Sequence, residues 1–91
     1  MPSPQTATQL REFVMTNFYI PAGTPLDDTT SFLEQGILDS TGVLELVTFL
    51  ETKFGIEVQD EEMLPENLDS IRAISHYVAR KLESRKVQLV A

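Results

Sequence analysis

A chain of 91 residues is long enough for one hydrophobic core and too short for two, so a single domain over 1–91 is expected, ordered from about 5 to 84. Fourteen acidic residues against seven basic ones leave a net charge of −7, which argues against a nucleic-acid binder, because phosphate binding is driven by clustered Lys and Arg. No cysteine and a single histidine exclude disulfides, thiolate metal sites and a thiol nucleophile. The opening Met1-Pro2-Ser3-Pro4 lacks the basic and apolar regions of a signal peptide, and no apolar run approaches a membrane span. The cytoplasm and a monomer are the default expectations. The acidity favours steered, transient encounters with basic protein patches.

Along the chain, Leu10, Phe13, Val14 and Phe18 recur at helical spacing, which predicts a first helix over Gln5–Phe18. Pro21, Gly23 and Pro25 then forbid its continuation. The long loop that follows carries Phe32, Leu33, Ile37 and Leu38, too apolar for a solvated linker, so it is expected to be pinned to the core. Val43, Leu46, Val47, Leu50 and Phe54 form the stripe of a second helix over Thr41–Phe54, with Gly55 placed to cap it. Ile56-Glu57-Val58 reads as loop. Asp60–Leu64 reads as a short third helix with acids at its start, stopped by Pro65. Asn67, Asp69 and Ser70 offer caps for a last helix carrying Ile71, Ile74, Val78 and Leu82, with Lys81, Arg85 and Lys86 complementing its dipole. Val87–Ala91 is expected to fray. The fold class is therefore all-α: a bundle of three main helices plus one short one, with a long loop between helices 1 and 2. A loop that long is uncommon unless functional, and it ends at Ser40.

At Gly36-Ile37-Leu38-Asp39-Ser40-Thr41 a glycine turn, an Asp-Ser pair and a helix start coincide. A serine there projects its hydroxyl outward, while free backbone amides and the positive dipole end favour an attached phosphate. The adjacent carboxylate of Asp39 is suited to help hold a divalent cation during transfer of a phosphate-linked group. An Asp-Ser pair alone proves little, because both residues are common helix caps. Indeed a second pair, Asp69-Ser70, reads as capping only.

The longer pattern separates the two pairs. Phe32-Leu33-Glu34-Gln35-Gly36-Ile37-Leu38-Asp39-Ser40 resembles the attachment motif of the acyl carrier protein family. Leu44-Glu45-Leu46-Val47, Leu50-Glu51 and Phe54-Gly55-Ile56-Glu57-Val58 are similar to its second helix and following loop, and Asp60-Glu61-Glu62, Asn67-Leu68-Asp69-Ser70-Ile71 and Tyr77-Val78 resemble its later helices. The resemblance implies that a phosphopantetheinyl transferase, using coenzyme A and magnesium, attaches a phosphopantetheine arm to Ser40, with Asp39 contributing to recognition. It further implies acyl or aminoacyl cargo carried as a thioester, a loading ligase, and downstream biosynthetic enzymes that dock through basic patches. By the same resemblance the docking residues are Leu38, Thr41, Glu45, Thr48 and Glu51, extended by Glu57, Asp60, Glu61 and Glu62. Fatty-acid-synthesis carriers have leucine, an acid and methionine where this chain has Thr41, Gly42 and Thr48, so it looks more like stand-alone carriers of specialised pathways, including aminoacyl and D-alanyl carriers.

Other features have plainer explanations. His76 has no second His or Cys with which to complete a zinc set and reads as structural or surface. Asp27-Asp28 lacks the spacing and glycine of a calcium loop. Met63 and Phe54 read as core, and Phe49, off the main stripe, as facing an inner cavity that could shelter a short acyl chain. Two further function classes are weighed. An unmodified helical interaction module predicts partners but a bare Ser40, while an enzyme fails for want of a nucleophile and base pair or a metal set.

Overall fold

The computed structural model describes residues 4–24 and 26–90, without the side chains of 85–90. The expectations placed on Met1–Ser3, on Pro25, on the Arg85 and Lys86 side chains and on Ala91 lie outside the described residues. The three apolar stripes become helices α1 (Pro4–Asn17), α2 (Ser40–Phe54) and α4 (Ile71–Val90), with a four-residue α3 (Pro65–Leu68) between α2 and α4. There is no strand among the described residues. Each long helix buries the centre of the stripe the sequence announced, Leu10 and Val14 from α1, Leu46, Val47 and Leu50 from α2, Ile71, Ile74 and Val78 from α4, which buries Tyr77 as well. Ile56 and Val58 close the core from the connection after α2. Gly55 ends α2 with φ +68, a left-handed conformation that glycine adopts without a Cβ penalty, and its N–H donates to the Glu51 carbonyl at 3.0 Å.

The long loop is pinned as expected, by three residues and not four. Phe32, Ile37 and Leu38 are buried, but Leu33 points outward at 51% exposure. Phe32 is held from both sides: its N–H donates to the Asp69 carbonyl at 2.8 Å, and its carbonyl accepts from Ile37 N–H at 2.8 Å. The Asp69 carboxylate completes the latch. One oxygen accepts the Ser31 hydroxyl and the other accepts the Leu33 N–H at 2.8 Å. Earlier in the loop, the Arg11 guanidinium reaches from α1 to the Leu26 carbonyl and the Asp28 carboxylate, and Arg72 N–H donates to the Asp28 carbonyl at 2.8 Å.

The short third helix lies elsewhere than expected. Asp60–Glu62 forms one 3₁₀ turn, and α3 begins at Pro65 instead of ending there. Both outcomes follow from the same chemistry of proline: a ring that lacks an N–H cannot continue a helix, yet it suits the first helical position, where that N–H has no partner anyway. Asp69 also departs from its expected capping role. Only Ser70 caps α4, its Oγ accepting from Ala73 N–H at 3.0 Å. α4 itself runs on to Val90, past the point where its apolar pattern ends.

Glu62 ties the 3₁₀ turn to α4. Its Oε1 accepts from Gln59 N–H at 3.0 Å, from Lys81 Nζ at 2.9 Å and from the Tyr77 hydroxyl at 3.2 Å. The Lys81 ammonium, and then the Gln59 N–H, hold the Glu62 carboxyl below its ordinary range, against a smaller opposing effect of burial. Tyr77, only 2% exposed, is pushed well above the ordinary phenol range, first by burial and then by the Glu62 charge. A depressed carboxyl stabilises the fold above its unfolded pKa, and that contribution is lost as pH falls through its folded pKa. Glu62→Gln is therefore expected to cost about 1 kcal/mol in urea unfolding at pH 7. The gap between variant and parent should close on acidification below the ordinary carboxylate range, and a gap independent of pH would contradict this role.

Candidate functional site

Residues 37–43 build the head of α2. Ile37 and Leu38 are buried and anchor the incoming strand of chain, and Asp39, in an extended conformation with φ −120 and ψ −173, is the N-cap. Gly42 N–H donates to Asp39 Oδ1 at 2.7 Å, and Val43 N–H to the Asp39 carbonyl at 2.9 Å. Because Asp39 takes the capping role, Ser40 becomes the first helical residue instead of the cap. Its side chain is exposed and its hydroxyl makes no hydrogen bond among the described residues. A phosphate joined to that hydroxyl would lie at the positive end of a 15-residue helix, the place where a backbone best tolerates an anion. Asp39 is exposed beside it, but one of its carboxylate oxygens is already committed to the helix. No group of three or more His, Asp or Glu side chains among the described residues is placed to hold a metal ion.

The family model of the phosphopantetheine attachment site matches residues 8–78, from the second turn of α1 to the middle of α4. The chain belongs to that family. Its members carry a covalently attached phosphopantetheine group and are carrier domains, so this carrier is not a catalyst. When bound, the group supplies the thiol that the sequence lacks. The exposed, unengaged serine at the positive end of α2 fits such an attachment.

The residues expected to dock partners separate into two groups in this carrier. Thr41, Glu45 and Thr48 are exposed and come together in one open groove between α2 and α1, floored by Phe13, Phe49 and Asn17. Glu51, Glu57, Asp60 and Glu61 are exposed beyond it, Glu51 accepting from Val58 N–H at 3.0 Å and Glu57 from Gln59 Nε2 at 3.0 Å. Leu38 stands apart from this surface: it is 7% exposed and packs into the core under Gly42. Glu62 is half-buried with its carboxylate committed to Lys81, Tyr77 and Gln59. Leu44, which sequence reasoning left out, lines the same groove at 61% exposure. Its signal was available, since Leu44 lies off the Leu46–Leu50 stripe in an otherwise amphipathic helix.

Phe49 does not face an inner cavity. It stacks on Phe13 with ring centroids 4.1 Å apart and an interplanar angle of 16°, and meets Phe54 edge-on at 6.0 Å. A cavity of about 90 Å³ lies elsewhere, between Leu38 and Val43 on one side and Met63, Leu64, Pro65 and Leu68 on the other, with Leu33 and Asp69 at its edge. Gly42 likewise has a packing role. A Cβ at that position would lie 2.9 Å from Leu38 Cδ2, 3.0 Å from Phe18 Cε1 and 3.3 Å from Asp39 Oδ1. Overpacking of this kind costs roughly 1–3 kcal/mol, whereas alanine gains up to about 1 kcal/mol in helix propensity over glycine. The clash outweighs the propensity, because Leu38 is walled in. Gly42→Ala is expected to lower stability by about 1 kcal/mol in urea unfolding. An unchanged or raised stability would show that Leu38 and Phe18 can yield to the added methyl group.

Proposed function

We propose that Ser40 is the attachment serine, and that the carrier holds acyl or aminoacyl groups as thioesters and passes them between enzymes of a biosynthetic pathway. The observation that carries the reading is the division of labour at Asp39-Ser40: the aspartate caps α2, and the serine hydroxyl is left exposed and unengaged at the helix head. The partners are a phosphopantetheinyl transferase, a loading ligase and downstream enzymes with basic docking patches. They meet a monomeric, cytoplasmic shuttle whose charge of −7 favours fast, salt-sensitive encounter.

Docking is assigned to the groove of Thr41, Leu44, Glu45 and Thr48, with Glu51, Glu57, Asp60 and Glu61 supplying a wider acidic margin. Asp39 contributes its exposed side chain to transferase recognition while its cap keeps the serine in register. Thr41 and Thr48 make this docking face less apolar than that of fatty-acid-synthesis carriers, which favours a specialised pathway. The small cavity points the same way: about 90 Å³ is less than the ~150 Å³ that admits a benzene ring, so a short cargo suits it better than a long acyl chain.

Intact-mass analysis with coenzyme A, magnesium and a broad transferase tests the assignment. A single phosphopantetheinyl increment is expected on the parent chain and none on Ser40→Ala. A parent chain that never gains the increment would leave the fold standing and favour an unmodified interaction module.

A further inference from the structure

A second surface feature is unrelated to Ser40. An open groove of about 510 Å³ runs between the start of α1 (Pro4, Ala7), the Asp28–Thr29 turn and one face of α4, where Arg72, Ser75 and His76 stand at positions i, i+3 and i+4. Ser75 is 4% exposed, and its hydroxyl is buried with no hydrogen-bond partner among the described residues. Two exposed helical hydroxyls bond back to the carbonyl four residues earlier, Thr8 to Pro4 at 3.1 Å and Thr48 to Leu44 at 3.0 Å. Ser75 does not, although the carbonyl of Ile71 stands in the corresponding position. A buried hydroxyl without a partner carries a desolvation penalty that a polar ligand in the groove would relieve.

The charges around it favour an anion. The Arg72 guanidinium makes no ion pair and the His76 ring no hydrogen bond among the described residues, and both are exposed along the groove. The 14-residue α1 opens onto the groove with its positive dipole end and has no acidic residue in its first turn. The one carboxylate in the lining, Asp28, is already paired with Arg11. In a chain of net charge −7, a patch with two cationic or protonatable groups, a helix start and two hydroxyls, Ser75 and Thr29, is a local reversal of the field.

We propose that this groove binds a phosphate group, with Arg72 as its charged fork, the Ser75 hydroxyl as a buried donor and the start of α1 behind it. The groove is large enough for a phosphate carried on a bigger body, so inorganic phosphate and a nucleotide phosphomonoester are the two sources to distinguish. The site stands independently of Ser40 modification.

Titration of the full ¹⁵N-labelled chain with inorganic phosphate, and separately with adenosine 3′,5′-bisphosphate, at constant ionic strength decides the matter by NMR. Saturable shifts are expected at Ala7, Arg72, Ser75 and His76. Saturation by both probes marks a site for phosphate itself, and saturation by the nucleotide alone marks a site for phosphate on a larger body. Arg72→Gln should weaken binding about tenfold or more, and Lys53→Gln, on α2 outside the groove, should leave it unchanged. Ser75→Ala should both weaken binding and raise the melting temperature, since it removes an unpaired buried hydroxyl. Non-saturating shifts with both probes, equal losses for Arg72→Gln and Lys53→Gln, or full binding by Ser75→Ala would each overturn the proposal.

Discussion

The structure depends on how one aspartate holds a loop. Asp69, at the junction of α3 and α4, receives the Phe32 N–H on its carbonyl and the Ser31 hydroxyl and Leu33 N–H on its carboxylate. Those bonds satisfy backbone and side-chain donors that would otherwise be stranded beside a fully buried phenylalanine. With Phe32 fixed, Gly36 can turn at φ +67 and deliver Ile37 and Leu38 into the core. The start of α2 is then fixed by packing. A long connection is entropically expensive to order, and here three buried apolar side chains and a latch of three hydrogen bonds offset that cost.

The head of α2 inherits this order. Leu38 below and Gly42 one turn on set how closely the chain can fold over its own start, and Asp39 falls where its carboxylate meets the Gly42 amide. The serine that follows is thereby relieved of structural work, which is what an attachment residue requires: a hydroxyl that can be modified without unsatisfying the helix. The same latch also borders the small cavity, since Leu33 and Asp69 form its edge. The proposed attachment serine and this apolar recess therefore share a single support. Glu62 performs a comparable service at the far side, joining the 3₁₀ turn to Lys81 and Tyr77 on α4.

Much of this was legible in the sequence, for physical reasons that also explain the gaps. The three long helices announced themselves by period, because each must bury one stripe, and the Gly36–Ser40 phrase marked the head of α2. Pro65 misled, since a residue without an N–H marks the start of a helix as readily as the end of one. Asp69 misled as well: its side chain serves a loop 36 residues earlier, and local capping preferences carry no record of that. Leu33, Leu38, Leu44 and Phe49 are all apolar in the sequence, but which of them turn outward is decided by tertiary packing. Glu62 reads as one of three surface acids until Lys81 and Tyr77 are brought beside it. Ser75 gave no signal at all, because its peculiarity is the absence of a bond.

The dependence of Ser40 on the latch is open to direct measurement. The rate of phosphopantetheine transfer to Ser40 can be followed by intact mass for the parent chain and for Asp69→Ala, at a temperature where circular dichroism shows both to be folded. If the latch positions the proposed attachment serine, kcat/KM for the transferase falls by about tenfold or more, as expected when a reacting group is held about an ångström out of place. Equal rates for the folded variant and the parent would show that the head of α2 keeps its geometry without Asp69, and that the latch contributes stability alone.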